Sequence, residues 1–550
     1  MQPERQHMTE RQDLPERQDI VVIGAGFSGL ASAGLLAARG HRVTVIDRHD
    51  HVGGRSGRLE REGFRFDTGP SWYLMPEVFE HWFALMGTSV AEQLRLRRLP
   101  VGYRTFFEHA AEPVDVGTGA EVRELFEKLE QGSGDRLDSY LEHAATGYTL
   151  ALEHFLYDDF RDPKSLLRPE ILKHLPRLLP LLAGNLHRHI ARRFAATPAR
   201  QILGYPAVFL GSSPRRTPAL YQLMSHLDLT QGVQYPLGGF AAVADAMADL
   251  ARSHGASIQL GATATGIDTG HRQEPGGTGR ASKPAVRAVR WVDAQGRARQ
   301  TPADAVIGAA DARHLDGALL PVHLHTHTAK KFESLDPGPS AVLVCLGITG
   351  TLPQLEHHNL LFTQDWDDNF ARIRRGRPLR DQTSIYVCKP SATDPDVAPE
   401  GCENVFILVP APAAAAWGAG GPDGQGDPAV EKIADAAIDQ LSRWAKIPDL
   451  RERIIVRQSI GPADFAEQYG AFRGGALGLA HTLGQSAMFR PGNRSTTVDG
   501  LYYAGSTVRP GVGVPMCLIS GELAAKAIEG ITAPGALDPA QFQHRQRTAR

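Results

Sequence analysis

Residues 19–47 read DIVVIGAGFSGLASAGLLAARGHRVTVID, and this stretch decides the fold class. Residues 20–23 are apolar and β-branched, which is typical of a buried strand. A helix with small residues along one face follows from about residue 28 and ends at Gly40, before a second strand over 41–47. Two strands joined by one helix make the strands parallel neighbours. The sequence therefore predicts an α/β protein with a Rossmann-like domain.

The turn between the first strand and the helix has the pattern G-x-G-x-x-G, formed by Gly24, Ala25, Gly26 and Gly29 with intervening residues. The first glycine allows a tight turn, the second lets the backbone approach a pyrophosphate, and the third allows close packing of helix on strand. The helix N-terminus then offers free N–H groups to the anion. Asp47 ends the second strand and is placed to accept hydrogen bonds from a ribose. We therefore predict a dinucleotide site.

A second motif follows at once. Residues 51–55 read HVGGR and residues 63–71 read GFRFDTGPS. This resembles the second motif of glutathione-reductase-like and amine-oxidase-like flavoproteins, in which the GGR segment covers the diphosphate and the flavin. NAD-dependent dehydrogenases do not normally carry it, so the implied cofactor is FAD. The cofactor-binding residues expected from this region are Arg48, Gly53, Gly54, Arg55, Gly69, Pro70 and Ser71.

The far end of the chain adds to the same site. Residues 500–525 read GLYYAGSTVRPGVGVPMCLISGELAA, a strand, a Gly/Pro-rich loop and a helix expected from about Leu518. N–H groups at that helix start would face the ribityl chain or the flavin ring. The expected cofactor-binding residues here are Gly505, Ser506, Gly513, Val514, Pro515 and Met516. A cofactor held from both ends of the chain implies a discontinuous FAD domain with a substrate domain inserted between its pieces.

Four segments, 19–71, 221–258, 483–506 and 509–525, resemble bacterial phytoene desaturases, which are FAD-dependent carotenoid desaturases. In that family the segment containing PLGGF leads into a strand that contacts FAD, and this implies a cofactor contact from Thr263. The resemblance spans most of residues 19–530. It implies an oxidoreductase that acts on CH–CH groups.

The implied reaction inserts double bonds into phytoene or a close C30–C50 relative. A hydride would pass to flavin N5 and a proton would then be lost, with oxygen or a quinone accepting the electrons. Three other reactions on this scaffold stay open: carotenoid ketolation, polyene cis–trans isomerisation and amine oxidation. Amine oxidases usually have Gly-Glu where this chain has Gly505-Ser506. A flavoprotein that no longer turns over is a further alternative.

Two polar residues are the catalytic candidates, Arg168 and Asp464. Family members place an arginine in the substrate region where this chain has SLLRPE, whereas Asp464 has an equal alternative as a turn or cap residue, as does Asp67. Arg490 is a further candidate near the ring. Arg509 stands where many relatives have Thr-His before Pro-Gly, and it could face the flavin or point outward.

We expect the following division of the chain: a disordered tail at 1–18, an FAD-binding domain at 19–100, 220–315 and 455–530, a substrate and membrane-facing domain at 101–219 and 316–454, and a flexible tail at 531–550. The N-terminal tail lacks the apolar run of a signal peptide.

Composition excludes several other classes. The chain has 59 Lys+Arg and 61 Asp+Glu, a net charge of −2, which argues against nucleic-acid binding. The cysteines Cys345, Cys388, Cys402 and Cys517 are isolated, so no metal site and no disulfide framework is expected.

A carotenoid must come from a membrane. No segment offers about 20 apolar residues of helical quality. Residues 165–200 are basic with many leucines, which suits an interfacial segment on an anionic bilayer, although a solvated basic face over a core is the alternative. We expect a cytoplasmic protein associated with the inner face of the cell membrane. Its oligomeric state stays open.

Overall fold

The computed structural model of the protein describes residues 16–161, 168–271 and 283–549. Its strands are β1 Asp19–Ile23, β2 Arg42–Ile46, β3 Arg58–Arg61, β4 Phe64–Asp67, β5 Leu96–Arg98, β6 Tyr103–Phe107, β7 Val114–Val116, β8 Gln234–Pro236, β9 Ser257–Gln259, β10 Thr263–Gly270, β11 Ala285–Val292, β12 Ala298–Pro302, β13 Ala305–Gly308, β14 Ser340–Thr349, β15 His358–Phe362, β16 Ile385–Cys388, β17 Cys402–Ala411, β18 Ile454–Ile460 and β19 Leu501–Tyr503.

The α-helices are α1 Phe27–Ala38, α2 Pro76–Leu85, α3 Val90–Gln93, α4 Ala120–Leu129, α5 Ser133–Ala151, α6 Pro169–Ala183, α7 Leu186–Ala191, α8 Thr197–Gly204, α9 Met224–His226, α10 Gly239–Ser253, α11 Ala312–Leu319, α12 Ala329–Glu333, α13 Trp366–Arg375, α14 Pro428–Trp444, α15 Pro462–Tyr469, α16 Val514–Ile528 and α17 Pro539–Ala549. None of these described helices is long and apolar enough to cross a bilayer.

The first sheet is parallel and has five strands in the order β19-β13-β1-β2-β9. Helix α1 is buried along its whole length because small residues let it lie close to the sheet and to helices α10 and α16. The strands come from three distant parts of the chain. The predicted α/β class with a Rossmann-like domain is confirmed.

The second large sheet has seven strands in the order β18-β14-β17-β16-β15-β6-β7 and carries α14 against its apolar side chains. This sheet corrects one expected boundary. The sequence assigns residues from 455 onward to the FAD-binding domain, whereas β18 pairs antiparallel with β14 over Leu343↔Ile460 to Ile348↔Ile454. The reason is a long-range backbone ladder, which local sequence does not encode.

The C-terminal segment also differs from expectation. The sequence predicts a flexible tail over 531–550, whereas α17 is helical and docked. Phe542 is buried in the main core under the guanidinium of Arg39, and the Gln543 side chain donates to the Ala84 carbonyl. One aromatic side chain in a polar segment thus supplies the buried area that fixes it. Residues 1–15 of the expected N-terminal tail and residues 165–167 of the basic region lie outside the described residues.

Candidate functional site

One cavity of 660 Å³ lies between the two large sheets. On one side it is bounded by the residues that follow the carboxyl ends of four parallel strands: Gly24 after β1, Asp47 after β2, Ala309 after β13 and Gly505 after β19. Ligands of open α/β sheets bind at this edge. On the other side, strands β14, β16 and β17 present apolar and aromatic side chains to the same cavity.

The structure brings almost every predicted cofactor-binding residue to this cavity. Ala25 and Gly29 do not line it, and both act behind its wall. The lining residues among those predicted are Gly24, Gly26, Asp47, Arg48, Gly53, Gly54, Arg55, Gly69, Pro70, Ser71, Thr263, Gly505, Ser506, Gly513, Val514, Pro515 and Met516. Their contact with the cofactor itself stays a prediction.

The glycines of the first motif fit a bound diphosphate. A Cβ on Gly29 would lie 1.9 Å from the Gly24 carbonyl oxygen, so this glycine is required for packing of α1 on its turn. A Cβ on Gly26 would meet nothing closer than 4.0 Å, in Gly53 and Gly54, and the space beside it is open. The turn is therefore closed behind the third glycine and open beside the second, as close approach of an anion requires.

Two helix N-termini face the cavity without a side-chain cap. Helix α1 begins after Gly26 and α16 begins after Gly513, and neither receives a side-chain hydrogen bond at its N-cap. Helix α16 starts at Val514, four residues before the predicted Leu518, because Gly513 ends the preceding loop and Pro515 suits the first helical turn. The uncapped N–H groups and the positive ends of both helix dipoles suit an anionic ligand between them.

Asp47 is buried at the end of β2. One carboxylate oxygen accepts the Ala25 N–H at 2.6 Å, and the other accepts the His49 backbone N–H at 2.8 Å. Burial opposes ionisation of Asp47, but the hydrogen bonds from His49 and Ala25 outweigh it and lower its pKa. A carboxylate that stays charged at the edge of the cavity can accept hydrogen bonds from a ribose diol.

Arg55 links the second glycine motif to the loop that follows β19, far away in the chain. Its Nη1 donates to Ser506 Oγ at 2.8 Å, and its Nη2 lies 4.0 Å from the carboxylate of Asp311. Asp311 also lines the cavity and was not predicted. Its signal in the sequence is an acid shortly after a buried strand, at the end of VIGAAD, and it caps α11 by accepting the N–H groups of Arg313 and His314.

Asp464 is placed differently from its predicted catalytic role. Its carboxylate accepts the backbone N–H groups of Gly420 and Gly461, both at 2.7 Å, and it does not line the cavity. Asp67 is likewise occupied by backbone N–H groups at the start of α10. Asp464 lies in the first turn of α15, and Asp67, at the end of β4, reaches the first turn of α10. Each satisfies N–H groups at a helix start that have no helical partner. We therefore do not retain Asp464 as a catalytic candidate.

Two predicted arginines also lie outside the lining. Arg168 forms an ion pair with Asp158, with 3.0 Å between Nη2 and Oδ2. Arg490 is buried and donates to the backbone carbonyls of Leu479, Gln485, Ser506 and Val508. Burial lowers the pKa of Arg490 to about 10. Arg490 thus holds the loop that carries Ser506 from behind, and Arg168 faces an acid and not the cavity.

Arg509 does not line the cavity. Its guanidinium donates to the carbonyls of Asp159 and Met488 and lies 5.6 Å from the ring centroid of Phe160. It therefore ties the segment after α5 to the loop before β19, where the cavity opens. Of the two alternatives for Arg509, these contacts do not support the one in which it faces the flavin.

The mouth of the cavity is apolar and was missed by the sequence analysis. Leu483, Met488 and Phe489 line the cavity and are also exposed to solvent, Phe489 by 62%. Leu178 and Leu182, from the basic region that was singled out, line the same cavity. The signal at 483–489 is a short apolar run inside a polar loop, too short to stand out before the fold is known.

Comparison with known proteins gives the family. The sequence profile of the flavin containing amine oxidoreductases matches residues 27–529. The chain belongs to this family. The protein is therefore an oxidoreductase, and its cofactor is FAD, as the two glycine motifs predict.

Similar proteins of this family include a carotenoid 3,4-desaturase of Haloarcula japonica, 38% identical over 92% of this chain and 97% of that protein. A 4,4'-diapophytoene desaturase (4,4'-diaponeurosporene-forming) of Staphylococcus haemolyticus is 29% identical over 92% and 98%. Among solved structures, a putrescine oxidase bound to putrescine matches with a TM-score of 0.57 and 17% identity, covering 93% of this chain and 99% of that chain. The last likeness shows the fold alone.

Proposed function

We propose that the chain is an FAD-dependent carotenoid desaturase that acts on phytoene or a closely related C30–C50 polyene. The observation that carries the proposal is one continuous cavity that joins the predicted cofactor loops to an exposed apolar mouth. The similarity of the protein to a carotenoid 3,4-desaturase, at 38% identity over nearly all of both chains, supports the substrate class.

The cavity wall suits a hydrocarbon. Between the cofactor loops and the mouth it is lined by apolar side chains such as Leu150, Phe155, Leu223 and Leu343. A polyene offers no charged handle, so catalysis depends on placing one C–C bond against the ring and on excluding water. FAD supplies the hydride acceptor when it is bound. The chain's own residues bind the hydrocarbon, orient it and keep the cavity dry.

The same wall argues against amine oxidation. Asp47 and Asp311 are the carboxylates among the described lining residues, and both already accept backbone hydrogen bonds. An ammonium group would therefore find no uncommitted carboxylate in the described part of the cavity, and a buried unpaired charge is strongly unfavourable.

We further propose that the substrate enters from a membrane. Around the mouth, Leu179 and Phe489 expose more than half of their surface, and Lys173 and Arg188 are exposed nearby on α6 and α7. An apolar rim beside cationic side chains suits the interface of an anionic bilayer. The proposed location is the inner face of the cell membrane, with peripheral association.

The first experiment supplies the FAD-loaded protein with phytoene, and separately with a more unsaturated carotenoid, in liposomes. Desaturation removes two hydrogens per step and extends the chromophore, so product masses and visible spectra should change together. A product mass increased by oxygen would indicate ketolation. An unchanged product mass with an altered chromatographic retention time would indicate isomerisation. Unchanged polyene in every case, with the flavin still oxidised under anaerobic conditions, would contradict the proposal.

The same reaction identifies the electron acceptor, which we propose is oxygen or a quinone. Reduced enzyme is mixed with oxygen in one sample and with a quinone under anaerobic conditions in another. The acceptor that restores the oxidised flavin spectrum and sustains turnover is the one used. Failure of both would reject this part of the proposal and leave the desaturation result unaffected.

Membrane binding is tested by flotation with vesicles that contain phosphatidylglycerol. Phe489→Ser removes an exposed aromatic side chain from the mouth, and Ile455→Ser removes an exposed apolar side chain from strand β18. Full burial of a phenylalanine side chain contributes roughly 1.5–3 kcal/mol, and 62% of the Phe489 surface is exposed and available to the membrane. We therefore expect Phe489→Ser to weaken vesicle binding about fivefold or more. Equal binding of the two variants would refute docking through the mouth.

A further inference from the structure

A hydrogen-bonded chain of three side chains opens on the apolar wall of the cavity. Ser71 and Tyr386 line the cavity, and their side-chain oxygens lie 2.5 Å apart. The Tyr386 hydroxyl also lies 2.7 Å from Nδ1 of His358. Strand pairing sets this geometry, because His358 begins β15 and Tyr386 lies on the adjacent strand β16. The three groups form a path from the cavity surface into the protein.

His358 is fully buried behind this wall. Its ring stacks on Trp72, with 4.3 Å between centroids and 11° between planes, and Trp72 itself lines the cavity. Burial, with a smaller contribution from neighbouring His357, lowers the pKa of His358 well below its usual value. The imidazole is therefore neutral and keeps a nitrogen lone pair. Its Nε2 has no hydrogen-bond partner among the described residues.

Ser71 places the hydrogen-bonded side chains of Ser71, Tyr386 and His358 beside the cofactor loops. It follows Gly69, where a Cβ would lie 2.1 Å from the Arg55 carbonyl oxygen. Arg55 in turn bonds Ser506 across the cavity. The Tyr386 hydroxyl is thus at the end of the cavity where the ring is expected, and not at the mouth.

The carboxylates on the described lining are committed elsewhere. Asp47 accepts N–H groups of Ala25 and His49, and Asp311 accepts those of Arg313 and Phe472. Both belong to the cofactor edge of the parallel sheet. Neither is placed to accept a proton from a hydrocarbon in the apolar part of the cavity.

A second tyrosine–histidine pair lines the same cavity but cannot accept a proton in the same way. His481 Nε2 accepts the Val512 backbone N–H at 3.1 Å, so its proton resides on Nδ1, which faces the Tyr221 hydroxyl at 2.7 Å. The imidazole donates to Tyr221 and has no free lone pair. Among the described lining residues, Tyr386 is the tyrosine whose histidine partner, His358, has a nitrogen lone pair that can accept the phenol proton.

We propose that Tyr386 accepts the proton that the substrate loses during desaturation, and that His358 is the positioning residue that receives the phenol's own proton. This inference rests on the proposed function and names the residues of its second half-reaction. Ser71 donates to the Tyr386 oxygen and aligns it, while Tyr386 donates to His358 Nδ1.

The step balances as follows. After hydride loss the carbon skeleton is electron-poor, and the C–H bond on the adjacent carbon breaks. Its electron pair forms the new C=C bond, and its proton goes to the Tyr386 oxygen. The phenol O–H bond breaks in the same movement, and that proton passes to His358 Nδ1. Once product has left, the reverse shift returns the proton to water through Tyr386. A base as weak as a buried imidazole suffices, because a carbon next to a cationic centre is strongly acidic.

A metal ion is the competing use of these groups. His357, His358 and Cys388 bring ligand atoms within 4.8 Å of one another. Nδ1 of His358 is already 2.7 Å from the Tyr386 hydroxyl. His357 Nδ1 is already 2.7 Å from Thr393 Oγ1. These contacts favour the relay, and elemental analysis of the purified holoenzyme separates the two readings.

The test compares Tyr386→Phe with the wild-type holoenzyme on the carotenoid that the wild type desaturates. General-base contributions predict a fall in kcat of about 100-fold or more, with KM changed less than about twofold. In an anaerobic single turnover, loss of the oxidised flavin spectrum reports the hydride step, and the polyene spectrum reports proton loss. We expect the polyene signal to lag behind the flavin signal in this variant.

His358→Asn keeps an acceptor for the Tyr386 hydroxyl but replaces imidazole by an amide, which is a far weaker base. We expect the same lag, and this variant separates hydrogen bonding from proton acceptance. Tyr221→Phe removes the comparable hydroxyl of the other pair and should show no lag. Tyr103→Phe removes a buried hydroxyl outside the cavity lining and should leave activity unchanged. FAD content, melting temperature and substrate binding, followed by tryptophan fluorescence, check that each variant is intact.

Several results would overturn the relay. They are a Tyr386→Phe variant that keeps more than about a third of the activity, flavin and polyene signals that change together, a raised KM with kcat retained, or one metal ion per chain that is lost in Cys388→Ser. A wild-type protein that desaturates no carotenoid would instead reject the proposed function, so the two failures are distinguishable.

Discussion

Replacement of Gly26 by alanine separates the folding role of the first glycine motif from its cofactor role. The backbone of Gly26 has φ −74°, which alanine adopts without strain, and the added methyl would meet no protein atom closer than 4.0 Å. The methyl therefore occupies only the open space beside the N-terminus of α1. We expect the protein to fold normally and to bind FAD weakly.

The magnitude follows from the contacts that the methyl blocks. Pushing a diphosphate away from the helix start removes one hydrogen bond to a charged group, worth about 1.5–3 kcal/mol. FAD affinity should fall about 10- to 100-fold. The free energy of unfolding should change by less than about 1 kcal/mol, because two effects oppose each other. Alanine is a poorer N-cap than glycine, which lowers stability, but it also reduces the conformational entropy of the unfolded chain, which raises stability.

Equilibrium dialysis of the holoenzyme against graded FAD measures the affinity, and urea unfolding measures stability. Gly29→Ala is the matched comparison, because its methyl would lie 1.9 Å from the Gly24 carbonyl oxygen. That variant should fail to fold. A Gly26→Ala protein that retains FAD within about threefold of wild type would refute the reasoning, because hydrogen bonds of this strength cannot be lost with so small an effect.

Three further predictions concern single side chains. Arg55→Ala removes the hydrogen bond across the cavity and should weaken FAD retention about tenfold, with Arg55→Lys no better, since lysine lacks the planar fork; full retention would contradict this. Asp464→Ala leaves two backbone N–H groups without an acceptor and should lower the free energy of unfolding by about 1–3 kcal/mol, with kcat per bound flavin unchanged; a loss of kcat would restore its catalytic role. Burial opposes ionisation of Glu529, but hydrogen bonds from His41 and Arg39 outweigh it and lower its pKa. This pair should stabilise the protein fully above about pH 4.5 and lose its effect as pH falls further, so melting temperatures of wild type and Glu529→Gln should converge in acid.

The local sequence predicted the parts of the fold that local physics determines. Strands β1 and β2 and helix α1 agree with the predicted bounds to within a residue or so, because apolar periodicity and glycines fix them. The cofactor side of the cavity followed from the same glycines. The pattern of strand, Gly/Pro-rich loop and helix over residues 500–525 extended this to the loop around Ser506, which lies far away in the chain.

The remaining features depend on pairing between distant segments. Strand β18 joins the seven-stranded sheet by pairing with β14, and the sequence of neither strand indicates which strand it pairs with. Tyr386 meets His358 only because β15 and β16 pair in one register. Asp464 was an ambiguous acid, and only the two backbone N–H groups near it decide its role. A pattern of residue types does not contain this information.

The order of strands in the parallel sheet has a consequence for biosynthesis. Strand β19, at residues 501–503, lies beside β13, at residues 305–308, and the loop after β19 completes the cavity. A nascent chain on the ribosome therefore holds the first glycine motif long before it holds the last wall of the site. Cofactor capture must be among the final events of synthesis, and contacts of such long sequence separation form slowly. Until then the apolar cavity walls are open to solvent, and the growing chain is most prone to aggregate in that interval. Supply of FAD during expression should therefore raise the yield of intact protein more than the same FAD added after purification.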